Sequence, residues 1–260
     1  REYSKLFERI EATVLPDRKD AAEAEVERTR EAVAANTLAK TNKHHANFLS
    51  NWWKLSYRRS ELMQRLASIP RYVACGQVTK RSIFEFVHSA VSPNAALQVF
   101  PFAEDYSFGI LQSRCHWDWF VARCSTLKGD FRYTSNTVFD SFPWPQSPSA
   151  KQVKAVAAAA VHLRDLRTKL RAKHNLSLRD LYRSSEQPGK HPLLDAHAEL
   201  DASVRVAYGA SATEDALAFL LRLNANCAAA EATGTPVIGP GLPPGVAPGT
   251  LVSPDAVRMP

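Results

Sequence analysis

The chain has few cysteines, no long apolar run and none of the short motifs that mark common enzyme active sites. Cys75, Cys115, Cys124 and Cys227 include no CxxC pair. Cys115-His116 followed by Cys124 is the nearest approach to a metal cluster, and it lacks a fourth ligand. Free thiols in a reducing, cytoplasmic setting are therefore expected rather than zinc or disulfides. No apolar stretch approaches the roughly 20 residues that a membrane helix needs, so no membrane partner is expected. The opening segment REYSKLFERIEATVLPDRKD is of mixed charge throughout and has no signal-peptide core. It also begins on Arg1 rather than Met, so the chain is expected to be a piece of a longer protein.

Catalytic signatures are missing as well. There is no GxGxxG after a strand, no phosphate-cradling GxxxxGK[ST], no HExxH and no GxSxG. Asp17-Arg18-Lys19 offers a D-x-K fragment of a common nuclease motif, but without a preceding strand or a partner acid it reads as chance. His44-His45 sits in a polar helical stretch, where neighbouring side chains point to different faces and chelate poorly. No catalytic residue and no metal ligand is assigned.

The material that is present is ordinary in bulk and uneven in placement. A hydrophobic content of 45% and a charged content of 23% suit a globular protein, and 260 residues allow one large domain or two modest ones. The net charge is +7. Between Lys151 and Arg183 stand nine bases against two acids, Asp165 and Asp180, so this one block accounts for the whole excess. Such a block suits an anionic partner, nucleic acid first. A basic run by itself is more often a solvated helix face.

The chain divides by texture into an α+β protein with four segments. Residues 1–68 form a helical lead-in, because 17–66 contains neither Pro nor Gly and is rich in Ala, Glu, Arg and Leu. Pro16 is expected to break the chain before that helix, and Trp52 and Trp53 to anchor it in a core. Residues 69–146 carry short β-branched and aromatic runs, RYVACGQV, SIFEFVH, ALQVFPF and SFGILQS, which predict a mixed α/β domain. Within it RCHWDWFVARCS is spaced as a helix, while FRYTS and TVFDSF are expected to be extended. Residues 150–231 predict a helical domain: one helix over 151–173, a short one opened by Ser177 and Asp180, one ending at Gly209, and one capped by Ser211 and Glu214. Residues 232–260 are dense in Pro and Gly and are expected to be disordered or loosely draped.

The candidate chemistry is that of binding. Lys80 and Arg81 follow one predicted strand, and Arg114 and His116 follow another. Lys128, Asp130, Arg132, Tyr133, Thr134, Ser135 and Asn136 crowd the stretch before Phe142-Pro143-Trp144-Pro145. Arg and Lys pair with guanine edges, Asn with adenine and Asp with the cytosine amino group, while hydroxyls suit phosphate oxygens. Gly129-Asp130 is also good sequence for an ordinary turn. In the basic helix, Arg164, Arg167 and Arg171 form a row expected to grip phosphates.

Four pieces of this sequence, RYVACGQVTKRSIF (71–84), FGILQS (108–113), HWDWF (116–120) and GDFRYTSNTVFDSFPWPQ (129–146), are together familiar. The chain resembles the target-recognition region of single-chain bacterial DNA adenine methyltransferases of the type IIG (MmeI-like) restriction–modification family. Its members close that region with a similar RYT…F-x-x-FPxP run. LDASVRVAYG (200–209) and ALAFLLRLN (216–224) resemble the helical piece that follows, and Trp52-Trp53 with Arg58 and Arg59 the helix that leads in. The resemblance implies a double-stranded DNA partner and a methyltransferase domain upstream in the same chain. It also implies S-adenosylmethionine bound in that domain rather than here, since Asn-Pro-Pro-Tyr and Asp-Pro-Pro-Tyr are both absent. The alternatives are a protein-interaction or assembly module and, behind it, a nuclease.

Overall fold

The computed structural model describes residues 3–37, 39–54, 59–81, 83–127, 129–211 and 213–258. The expected α+β class holds: helices dominate, with two small antiparallel sheets among the described residues. The chain forms two compact units, Arg1–Glu61 and Leu62–Pro260.

In the first unit α1 runs Ser4–Ala35 and α2 runs His44–Leu49. The expected single helix over 17–66 is thus interrupted. Asn36, Thr37, Thr41 and Asn42 supply weak helix formers between α1 and α2, and Asn42 Oδ1 accepts from the His44 N–H at 3.1 Å to start α2. The chain doubles back, so that Glu25 accepts from the Ala46 N–H at 3.0 Å and Arg18 donates to the Lys54 carbonyl at 2.9 Å. Pro16 lies inside α1 rather than before it, which removes one bond to the Ala12 carbonyl. Of the two expected core anchors, Trp52 is half-buried against Phe7 and Trp53 is 46% exposed.

The second unit is built around β1, Arg71–Gly76, flanked by β3, Glu85–His88, and β4, Leu97–Phe100, in the order β3-β1-β4. Both faces of β1 are covered, which explains why its sequence is nearly all apolar instead of alternating. Val73 and Cys75 face the large core, while Tyr72 and Ala74 pack with Leu66 from α3, Ser60–Ala67. The second sheet joins β2, Val78–Thr79, to β6, Asp130–Arg132, and β5, Ser125–Leu127, in the order β2-β6-β5.

Helix α4, Asp105–Gln112, corrects the reading of SFGILQS as a strand. All eight of its residues are buried, and a short run buried all round has no helical period to detect. Gly109 lets it approach α6, Ala150–His174: a Cβ there would meet Val156 Cγ1 at 2.7 Å. Helix α5, Arg114–Arg123, matches its sequence spacing, whereas TVFDSF forms a π-helical turn over Ser135–Phe139 instead of a strand. Beyond α6 come α7, Leu178–Ser185, α8, Pro192–Tyr208, closed by Gly209 in the left-handed region, and α9, Ala216–Ala232. Ser177 caps α7 as expected, while Asp215, not Ser211, caps α9.

One hydrophobic core runs from β1 through Trp144 to α8 and α9, so the texture change near 146–150 is a change of element type within one core. Phe142 and Trp144 are buried in it, and the Pro143 carbonyl accepts from Tyr208 Oη at 2.8 Å. Asn224 Nδ2 donates to the Ser141 carbonyl at 2.8 Å. Phe-Pro-Trp-Pro thus fastens the end of the sheet-bearing segment to α8 and α9.

The tail is ordered in part. Residues 249–258 fold back: Leu251 is buried and Val257 bridges to Val87, with the Val257 N–H donating to the Phe86 carbonyl at 2.8 Å. Polar satisfaction explains the order that composition hid. Asp255 Oδ1 accepts from Arg71 at 2.9 Å and Oδ2 from Arg164 at 2.7 Å, and the Ser253 N–H donates to Asp105 at 2.9 Å.

Candidate nucleic-acid interface

The sheet β2-β6-β5 has two unlike faces. Directly paired residues in an antiparallel sheet share a face, and alternate residues return to it. Val78, Arg132 and Ser125 are one such row, and Leu127 with Asp130 the next. Thr79, Phe131 and Thr126 lie on the other face, where the Phe131 ring packs on Trp117 at 5.5 Å and Phe120 at 6.2 Å. Arg132 and Ser125 are therefore on the solvent side, with Lys80 one step beyond β2 and 80% exposed. Lys80 Nζ lies 3.9 Å from Asp130. The π-helical turn continues this exposed edge with Ser135, Asn136 and Thr137, above a half-buried Thr134.

Lys80, Asp130, Arg132, Ser135 and Asn136 thus share an accessible region, but other expected readers do not. His116 and Tyr133 are fully buried. Tyr133 Oη and His116 Nε2 are hydrogen-bonded at 2.9 Å, beneath the sheet rather than on it. Burial pushes the His116 pKa down to about 3 and raises that of Tyr133, so the imidazole is neutral. Tyr133 is the inward neighbour of Arg132 by strand alternation, and its ring packs on Phe100 at 5.5 Å. Lys128 and Arg58 lie outside the described residues.

The arginine row of α6 divides in the same way. Arg164 is 4% exposed and Arg167 2%, so neither meets a phosphate on the surface. Helical spacing set the row beside a stripe of Leu163, Leu166 and Leu170; α4 and the returning tail enclose Arg164. Arg164 bonds Asp255 and Asp105, and Arg71 Nη2 donates to the same Asp105 oxygen at 2.8 Å. The Arg71 guanidinium stacks 3.5 Å from the Phe86 ring centroid. Two guanidinium groups and two carboxylates make a neutral cluster, the arrangement a buried charge requires. Burial opposes ionisation of Asp255, but the hydrogen bonds and charge of Arg164 prevail and hold its carboxyl well below the usual range. Arg167 donates to the Phe84 carbonyl at 2.9 Å, to Gln112 at 2.7 Å and to Tyr182 Oη. Tyr182 in turn bonds His197 at 2.8 Å, and burial followed by the charge of Arg167 pushes that imidazole down to about 4. Arg171, on the last turn of α6, is exposed and reaches the Leu176 carbonyl at 3.4 Å.

The two remaining candidates are tethered. Arg81 pairs with Glu186 just after α7, and Arg114 Nε bonds Asp118 at 2.6 Å while its N–H donates to Asp201 at 2.7 Å. Sequence reasoning missed Gln98, which donates to Ser135 Oγ at 3.2 Å. The available signal was its place in ALQVFPF, two residues before Phe100 on the same face of a strand.

A family model described as the MmeI target recognition domain matches residues 16–146. "DNA methyltransferase A" of Bacillus subtilis (strain 168) is 34% identical over 124 residues, 46% of this chain and 13% of that protein. The solved structure of the type IIL restriction–modification enzyme MmeI in complex with DNA superposes with a TM-score of 0.61 at 27% identity. That match covers 74% of this chain and 25% of the other. The chain spans a small part of each relative.

Proposed function

The chain belongs to the MmeI target-recognition-domain family, and on that premise we propose that it reads DNA sequence for a longer, S-adenosylmethionine-dependent DNA adenine methyltransferase. The observation that carries the reading is a coincidence of place. The segment matched by the family, 16–146, includes the solvent face of β2-β6-β5 and the π-helical turn, where Lys80, Asp130, Arg132, Ser135 and Asn136 gather. Phosphate contacts position a protein on a duplex, and contacts to base edges specify the site. Arg132 and Asp130 are the proposed base contacts, with Lys80, Thr134 and Ser135 toward the backbone and Arg171 a separate phosphate contact. Arg164, Arg167, His116 and Tyr133 act beneath this surface by holding it rigid.

The proposed partner is double-stranded DNA, and the methyl transfer belongs to another domain of the longer chain, upstream of this one. Such a domain extrudes its target base from the stack. Two clefts in the second unit, about 140 Å³ beside Phe142 and Trp144 and about 240 Å³ beside Arg71 and His88, are smaller than the roughly 300 Å³ of a typical small-molecule site. Neither is lined by a glycine turn following a strand, which supports placing the cofactor in the other domain. Calorimetry of the isolated chain with that cofactor should give no stoichiometric signal. Among the described residues no helix is long and apolar enough to cross a membrane.

The test is to map modified adenines in DNA from cells that express the full-length protein. One defined motif is expected, and exchanging residues 69–146 for those of a relative should move it to the relative's motif. A protein that modifies no adenine and binds duplexes without sequence preference overturns the proposal and favours an assembly module.

A further inference from the structure

Strand β4 is the edge of its sheet, and its two faces are used differently. Leu97 and Val99 pack toward Tyr72 and Leu66. Gln98 and Phe100 point the other way. Phe100 is buried there against Phe84, Tyr133 and Phe139, and Cys75, the strand partner of Gln98, is buried too. An apolar residue is expected at position 98 if that row stays inside. Gln98 is instead half-buried, with Nε2 donating to Ser135 Oγ. The row therefore opens to solvent at the π-helical turn, beside exposed Ser135, Asn136 and Thr137. Gln77 ties this rim to β6: its N–H donates to the Ala96 carbonyl at 2.8 Å, and its carbonyl accepts from the Tyr133 N–H at 2.8 Å. Tyr133 directly follows Arg132, so Gln98 and Arg132 flank one short stretch of surface.

We propose that Gln98 reads a base, taking an adenine of the recognised duplex, an inference that rests on the DNA-reading function above. The bond to Ser135 occupies one amide hydrogen and fixes the rotamer. With the hydrogen anti to Oε1 on Ser135, Oε1 is left as an acceptor and the syn Nε2 hydrogen as a donor, side by side in one plane. The adenine edge in the major groove offers the complement, the N6 amino donor and the N7 acceptor. A guanine edge presents two acceptors, O6 and N7, so Oε1 would face another oxygen. Because the side chain is already held, less conformational freedom is lost on binding.

The experiment maps modified sites of the full-length protein carrying Gln98→Ala, Gln98→Glu or Ser135→Ala. Gln98→Ala should relax one A·T position of the motif, losing about ten- to hundredfold discrimination there, with every other position and the melting temperature unchanged. Gln98→Glu should move that position toward cytosine, whose N4 amino group donates to a carboxylate. Ser135→Ala should weaken the same position by less, on top of a uniform loss from its proposed backbone contact. A Gln98→Ala protein with the wild-type motif, or one that loses modification at all sites equally along with melting temperature, overturns the inference and makes Gln98 a structural tie. In both cases the wild-type motif leaves the DNA-reading function standing. A wild-type protein with no motif removes the function and this inference together.

Discussion

The second unit contains two three-stranded antiparallel sheets that look alike in topology and differ in every other respect. In β3-β1-β4 the central strand is covered on both faces, and Arg71 at its start is clamped by Asp105 and Asp255. In β2-β6-β5 the strands are two or three residues long, one face is the Phe131 side of the core, and the other carries Arg132 into solvent. A two- or three-residue strand pair is too short to stand alone. The thin sheet persists because Trp117, Phe120 and the Tyr133–His116 pair lie under it. Arginine therefore does opposite jobs in the two sheets: one holds the frame, the other is displayed by it.

The sharpest way to break that contrast is to remove a framing arginine. Arg164→Ala leaves Asp105 and Asp255 without one of their two guanidinium partners in a buried cluster. Stripping one partner from a buried pair costs about 3–5 kcal/mol. Urea denaturation should show a loss of that size, with the tail, residues 249–258, gaining hydrogen exchange first because Asp255 and Ser253 lose their anchor. A loss below about 1 kcal/mol would place Arg164 among solvated surface residues and restore it as a phosphate contact.

The same contrast explains what could be seen in the sequence. The helices after residue 150 were legible because caps and composition act locally: α6 came within a residue of its bounds, and Ser177 and Gly209 stand at their expected termini. The family resemblance located the recognition segment because the FPWP run is fixed by packing against Tyr208 and Asn224. Arg164 and Arg167 were misplaced because their partners lie far away in sequence, at Asp255, Asp105 and Gln112. The order of the tail was hidden for the same reason. Its low-complexity composition carries no local preference for order, and the order comes from three distant charges. α4 was misread because complete burial erases periodicity. At the candidate interface Lys80, Asp130 and Arg132 were legible as polar residues near a turn. Tyr133 was not separable from them, since one residue's shift along a strand decides between surface and core, and His116 sits on the inward face of α5.

A smaller effect tests the frame by pH. His116, with its pKa pushed down to about 3, and His197, pushed down to about 4, stay neutral in the folded protein, whereas an unfolded histidine titrates near 6.5. Below that pH the unfolded chain takes up protons that the folded one refuses. Their stabilising contribution is complete above pH 6.5 and is lost as pH falls toward 4, on the order of 3 kcal/mol for each. Burial raises Asp201 to about 6, which works in the opposite direction between about pH 6 and 4 and offsets part of one histidine. The melting temperature should thus be flat above pH 7 and fall on acidification, and His197→Gln should flatten part of that fall. A profile unchanged by His197→Gln would mean that this imidazole is protonated in the fold.

The smallest expected effect on stability is at Arg132, and there the contrast becomes functional. Its side chain stands on the solvent face of β6, in a row with Val78 and Ser125, and none of the rings that hold Phe131 and Tyr133 depends on it. Arg132→Ala should change stability by no more than about 0.5 kcal/mol, as an exposed substitution does. A bidentate arginine contact to a base discriminates by roughly 1–3 kcal/mol, so the same change should broaden the modified motif at one base pair. Tyr133→Ala, one residue along the strand, should do the reverse: it removes a fully buried ring and the partner of His116, destabilising by about 3–5 kcal/mol and weakening every position of the motif together. Denaturation curves and modified-site maps for the two variants should therefore separate cleanly. If Arg132→Ala keeps the motif and lowers the melting temperature instead, both sheets are framework and the bases are read from elsewhere on the domain.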